Sequence, residues 1–226
     1  MTFYEQLYAA TQPARTELLT IPLLKAGVAG RLSRETYLAF LTEAYHHVKH
    51  TVPLLMACGS RLPQEPRWMS EAIVEYIEEE KGHEMWILND IEACGGDVAA
   101  VRYGQPGAAT EMMVAYAYYT IERLNPWGFF GMVLVLEGTS IEMALAAADA
   151  LQRSLQLPDK AFSYLTSHGT LDLEHMEFYR QLMNRVTEKA AQEAIIHCAN
   201  RMYRLYGNIF RGLPVNEKQQ KDPLHT

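Results

Sequence analysis

Apolar residues recur at helical spacing along almost the whole chain, and no pair of alternating runs joined by a hairpin turn interrupts them. A chain patterned this way has one way to bury its apolar stripes, which is helix against helix. Proline and glycine divide the pattern into about seven helical regions, at about 2–26, 34–58, 67–94, 108–124, 127–155, 159–184 and 187–210. Ser33 is placed to cap the second region, and Pro53 is expected to kink it because proline lacks one backbone donor. Gly95 and Gly96, followed by Asp97, stop the third. Asn125, Pro126 and Trp127 form a sharp joint before the fifth, and Leu157, Pro158 and Asp159 a turn before the sixth. No Ser/Gly-rich linker and no internal repeat divides the chain. The expectation is therefore an all-α bundle forming a single domain over 1–226, with a polar tail from about 215.

Composition narrows the classes of function. Apolar residues make up 49% of the 226, enough for a sizeable core. The net charge is −7 and no basic cluster occurs, so nucleic acid is not an expected partner. Cys58, Cys94 and Cys198 are scattered and match no paired-cysteine pattern, as in reduced cytosolic proteins. The first residues are polar and amphipathic, and no 18-residue run is apolar throughout, so neither a signal peptide nor a membrane span is expected. These features predict a cytoplasmic protein. Phosphate-cradling glycine motifs and the GxSxG elbow are absent, which removes dinucleotide, P-loop and serine-hydrolase chemistry from the candidates.

The residues suited to chemistry lie in three of the predicted helices. His168, Asp172 and His175 stand at i, i+4 and i+7, which places them within an arc of about 60° on one helical face. Leu165, Leu171 and Met176 flank that stripe, so it is expected to face the interior. An unpartnered carboxylate there would cost several kcal/mol, about what a bound cation would offset. Within the acidic run from Glu78 to Glu84, His83 follows Glu80 at i+3 and Glu79 at i+4, and spacing does not choose between the two acids. Glu137 is the only charged residue between Arg123 and Glu142, in an otherwise apolar helix, and must be neutral, paired or metal-bound. Six N/O donors without a thiolate suit non-haem iron, and manganese suits the same set. Glu43, His46 and His47, with Tyr116 and Tyr119 from the fourth region, are candidate pocket-lining residues.

The order Glu80-x-x-His83, then Glu137, then His168-x3-Asp172-x2-His175 resembles the haem-oxygenase-like diiron oxidases and oxygenases. The resemblance runs from about residue 35 to 183 and takes in Glu137–Ser140 and Ser167–Asp172. It implies a haem-oxygenase-like bundle and two non-haem irons held by Glu80, His83, Glu137, His168, Asp172 and His175. It also favours Glu80 over Glu79. The implied reaction uses O2 to oxidise a small organic substrate, such as an amino-acid, amine or fatty-acid derivative. A homodimer is expected, because relatives with this fold often pair. The p-aminobenzoate-forming branch uses a lysine beyond the bridging Glu, and residues 144–150 contain none. Metal-free TenA-like and PqqC-like enzymes share the fold and are the rival readings, together with a non-enzymatic ligand-binding protein. The TenA cysteine has no counterpart in the fifth helical region, and the first histidine, His46, comes too late to match the axial ligand of haem oxygenases.

Overall fold

The computed structural model describes residues 1–63 and 65–215, and for 168–174 the backbone only. All regular structure among the described residues is helical. The first predicted region is three short helices, α1 (Phe3–Ala10), α2 (Gln12–Leu19) and α3 (Pro22–Val28), and Pro13 and Pro22 each fall at a helix start. Ser33 caps α4 (Arg34–Val48), its hydroxyl accepting from the Thr36 amide. The helix then ends instead of kinking, and α5 (Thr51–Gly59) begins anew. Pro53 explains the position of the break, since it has no N–H for the carbonyl of Lys49, four residues earlier, and its ring crowds that carbonyl.

The third region also divides. α6 (Arg67–Glu80) stops at Lys81, Gly82 takes φ +92°, and α7 (His83–Ala93) starts immediately after. Asp97 caps a short helix not expected from the sequence, α8 (Val98–Tyr103). α9 (Ala108–Tyr119) runs into a π-turn at Thr120–Leu124, and the Asn125 side chain caps the 3-10 turn Pro126–Gly128. α10 (Phe129–Leu155), α11 (Ser163–Met183) and α12 (Lys189–Gly212) complete the bundle.

α10 is the central element, packed against α11, α12 and α3. It is long and apolar enough to cross a membrane by length and composition, but more than half of that stretch is buried inside the bundle. Gly131 lets α12 approach closely, since a Cβ there would meet the Ile195 carbonyl and the Ala199 amide at 2.5 Å each. Two apolar clusters form the core. One joins α5, α6, α9, α10, α12 and the C-terminal part of α11 around Phe130, Tyr76 and Tyr179, and the other joins α4, α7 and the C-terminal half of α10 around Tyr37 and Phe162.

Buried polar contacts fix α11 between these clusters. Asp90 on α7 accepts from the Ser163 amide at 3.0 Å, the Tyr164 amide at 2.9 Å and the Ser163 hydroxyl, so it caps the start of α11. Burial is the main influence on the Asp90 carboxyl and raises its pKa, against those hydrogen bonds. At the other end, the Tyr179 hydroxyl donates to the Phe130 carbonyl at 2.7 Å, tying α11 to α10.

Candidate metal centre

Glu80, Glu137 and His175 come from α6, α10 and α11, and one donor atom from each lies within 4.8 Å of the others. All three are buried, at 7%, 8% and 5% exposure, so two carboxylates and an imidazole converge away from water. Two carboxylates brought this close away from water repel one another, and a bound cation offsets that repulsion. A metal ion satisfies both and accepts the imidazole nitrogen, and the donor set is the one expected for iron or manganese.

Of Glu79 and Glu80, between which spacing does not choose, it is Glu80 at the end of α6 whose donor atom lies in the group of three. Glu80 turns into the cluster. Glu79 is partly exposed, and its Oε2 lies 3.2 Å from His175 Nε2. That contact fixes the imidazole through one ring nitrogen, the arrangement by which carboxylates orient metal-binding histidines.

His83 is buried and its Nδ1 lies 3.1 Å from Glu80 Oε2. Its ring stacks on Trp86 at 4.0 Å between centroids. The sequence placed Glu80 and His83 one turn apart on a single helix, but they sit on two helices separated by the Gly82 turn. The structure brings His83 against Glu80 and leaves it outside the group of three. His168 and Asp172 lie on the backbone of α11, and their side chains are outside the described residues.

An apolar cavity of about 150 Å³ borders the cluster along the seam between the two cores. Glu80 and Glu137 reach its wall, along with Tyr76 and Ser140, while Leu54, Met132, Ala144 and Leu165 supply much of the rest. Burial first, and then the charge of Glu137, raises the pKa of both Tyr76 and Tyr179 well above the usual phenol value, so both remain protonated.

Of the five expected pocket residues, His47 lines this cavity. Glu43 instead caps α9, accepting from the Gly107 amide with both oxygens at 3.1 Å and from the Thr110 hydroxyl. The helix N-terminus draws that carboxylate away from the site. His46, the neighbour of His47 on α4, does not reach the cavity and meets Lys49 Nζ at 3.1 Å through Nδ1. Tyr116 packs on the larger core and Tyr119 is half exposed, so neither borders the cavity. Tyr76 and Ser140 escaped the sequence reading. Tyr76 precedes Glu80 by four residues and Ser140 follows Glu137 by three, so helical spacing from each acid would have flagged both.

The whole fold matches solved structures closely. A domain of unknown function with a haem oxygenase-like fold from Shewanella denitrificans superposes with a TM-score of 0.83 at 22% identity, covering 92% of this chain and 90% of that one. A TenA homologue from Pseudomonas syringae gives 0.76 at 12% identity, again with 92% and 90% coverage. Haem oxygenase-1 from the cyanobacterium Synechocystis, solved in complex with haem, gives 0.74 at 13% identity, with 98% and 95% coverage. At these identities the likeness shows the fold, which is haem-oxygenase-like, and not the activity. No curated protein matches the sequence. A family model described as an iron-containing redox enzyme does match residues 38–207, well over half of the chain, and the protein belongs to that family.

Proposed function

We propose that the protein is a non-haem diiron oxidase or oxygenase that uses O2 to oxidise a small organic molecule. The observation that carries this reading is the buried convergence of Glu80, Glu137 and His175 beside an apolar cavity. These three would hold one metal ion, and His83, with His168 and Asp172 from α11, would complete the site for a second. When bound, iron supplies the electrons for reduction of O2, which organic molecules alone react with slowly.

The chain's own residues account for the rest. The carboxylates of Glu80 and Glu137 balance the positive charge, and Glu79 holds the His175 ring in place. The apolar wall keeps water from the substrate. A metal-free reaction of the TenA kind fits the same fold. None of the three buried cysteines lines the cavity, however, so a thiol of the TenA kind is not at hand.

The test is to titrate the chelated protein with Fe(II) in the absence of air, count bound iron, and then admit oxygen while recording the visible spectrum. About two irons per chain and a ferric absorption after oxygen are expected. Iron uptake no greater than that of a Glu137→Ala control would refute the reading and turn the search to metal-free chemistry.

A further inference from the structure

Some buried hydroxyls near the candidate centre are satisfied inside the protein. Thr139 donates to the Val135 carbonyl at 2.6 Å and Tyr179 to the Phe130 carbonyl at 2.7 Å. Two are not. The Tyr76 hydroxyl and the Ser140 hydroxyl are both buried, and neither has a hydrogen-bond partner among the described residues. Tyr76 is only 1% exposed. Both residues line the apolar cavity.

Their placement is not scattered. Tyr76 stands one turn before Glu80 on α6, and Ser140 one turn after Glu137 on α10. After burial, the Glu137 charge is the largest influence on Tyr76, and both residues line the cavity. A phenylalanine at 76 and an alanine at 140 would keep the cavity's shape and avoid burying two unpaired polar groups. Hydroxyls at both positions make sense if something in the cavity bonds to them.

The cavity wall also limits what that occupant is. Its volume of about 150 Å³ equals that of an engineered apolar cavity that binds benzene. No Lys or Arg lines it among the described residues, and its titratable lining there is Glu80, Glu137 and His47, so the protein wall offers an anionic head no fixed positive charge.

We propose that Tyr76 and Ser140 hold the polar head of the substrate, a neutral oxygen or nitrogen function on an apolar group about the size of a phenyl ring. They are binding residues, and naming the occupant as substrate rests on the function proposed above. The occupancy of the cavity does not.

Benzyl alcohol and toluene differ by the one hydroxyl that matters here, and their affinities can be compared by ligand-observed NMR titration of the full chain. The titration is made once on chelated protein and once after anaerobic loading with Fe(II). Benzyl alcohol should bind about tenfold more tightly than toluene, the ratio one well-made hydrogen bond supplies. The Tyr76→Phe/Ser140→Ala double variant should bring the two within about twofold and leave toluene binding in place. Its thermal midpoint should equal or exceed that of the wild type, and Tyr76→Phe alone serves if the double variant does not fold.

Equal affinities in the wild type, absence of binding by both compounds, or a preference retained in the variant would each overturn the proposal. So would a lowered midpoint in Tyr76→Phe, which would show the phenol bonded within the protein. Failure of the iron titration with the benzyl alcohol preference intact in chelated protein would remove the redox reading and keep the binding site.

Discussion

Glu79 and Glu80 are adjacent in sequence but approach His175 from different sides. Glu80 contributes a donor to the same buried group as the imidazole, while Glu79, 39% exposed, meets His175 Nε2 from outside at 3.2 Å. The last turn of α6 makes this division, because successive residues on a helix point about 100° apart.

The consequence for metal binding is direct. Glu79→Gln keeps the side-chain shape but removes the charge that orients and polarises the ring. Fe(II) affinity, measured by competition with a chelator, should fall about 10- to 100-fold. Unchanged affinity would mean that His175 is held by other contacts.

The metal role proposed for Glu137 predicts that iron raises stability through it. Fe(II) at about 100 times its dissociation constant should stabilise the folded chain by about 2.7 kcal/mol. For a chain of this size that is a rise of about 5–10 °C in thermal midpoint. In Glu137→Gln the rise should be absent, because a neutral amide neither balances the cation nor bridges it. Anaerobic differential scanning fluorimetry with and without Fe(II) decides the matter.

Gly82 makes the bend between α6 and α7. Its φ of +92° is costly for a residue with a side chain, although a Cβ there would meet nothing within 4 Å. Gly82→Ala should therefore cost about 1–2 kcal/mol from backbone strain alone. The midpoint should drop by roughly 2–8 °C. Because the same turn sets His83 against Glu80, iron stoichiometry should fall with it. A variant as stable as the wild type would show that the turn relaxes without strain.

His46 on α4 and His50 at the start of α5 contribute to the response to acid. Burial, and then the Lys49 charge, lowers the pKa of His46 and His50 below the ordinary 6.5. Both therefore stay neutral to lower pH in the folded chain than in the unfolded chain, which takes up protons as pH falls through 6.5. The folded state binds fewer protons over that range, so stability is full above pH 6.5 and declines below it. His46→Gln should flatten the fall of the thermal midpoint between about pH 6.5 and 5 relative to the wild type. An identical pH profile would place the acid sensitivity elsewhere.

The sequence by itself determined the helical class, the positions of most stops, and the chemical character of the site. Periodicity and proline or glycine placement are local properties, which is why Ser33, Asn125 and the Gly95–Gly96 pair act where the chain order says they should. Glu137 was legible for a similar reason, since a lone acid in an apolar helix has few ways to be satisfied. The tertiary structure decided what depends on three helices meeting. It turned Glu80 inward and Glu79 outward, because the rotation of α6 is set by Tyr76, Ile73 and Met69 packing into the core. It broke the apparent Glu80–His83 helix at Gly82, a turn whose positive φ no periodicity reveals. It sent Glu43 to cap α9 and kept Tyr116 and Tyr119 off the cavity, since a residue's type shows what it can bind but not which neighbour it meets. Helical spacing from Glu80 and Glu137 points to Tyr76 and Ser140, but that both line one apolar cavity depends on how α6 and α10 pack.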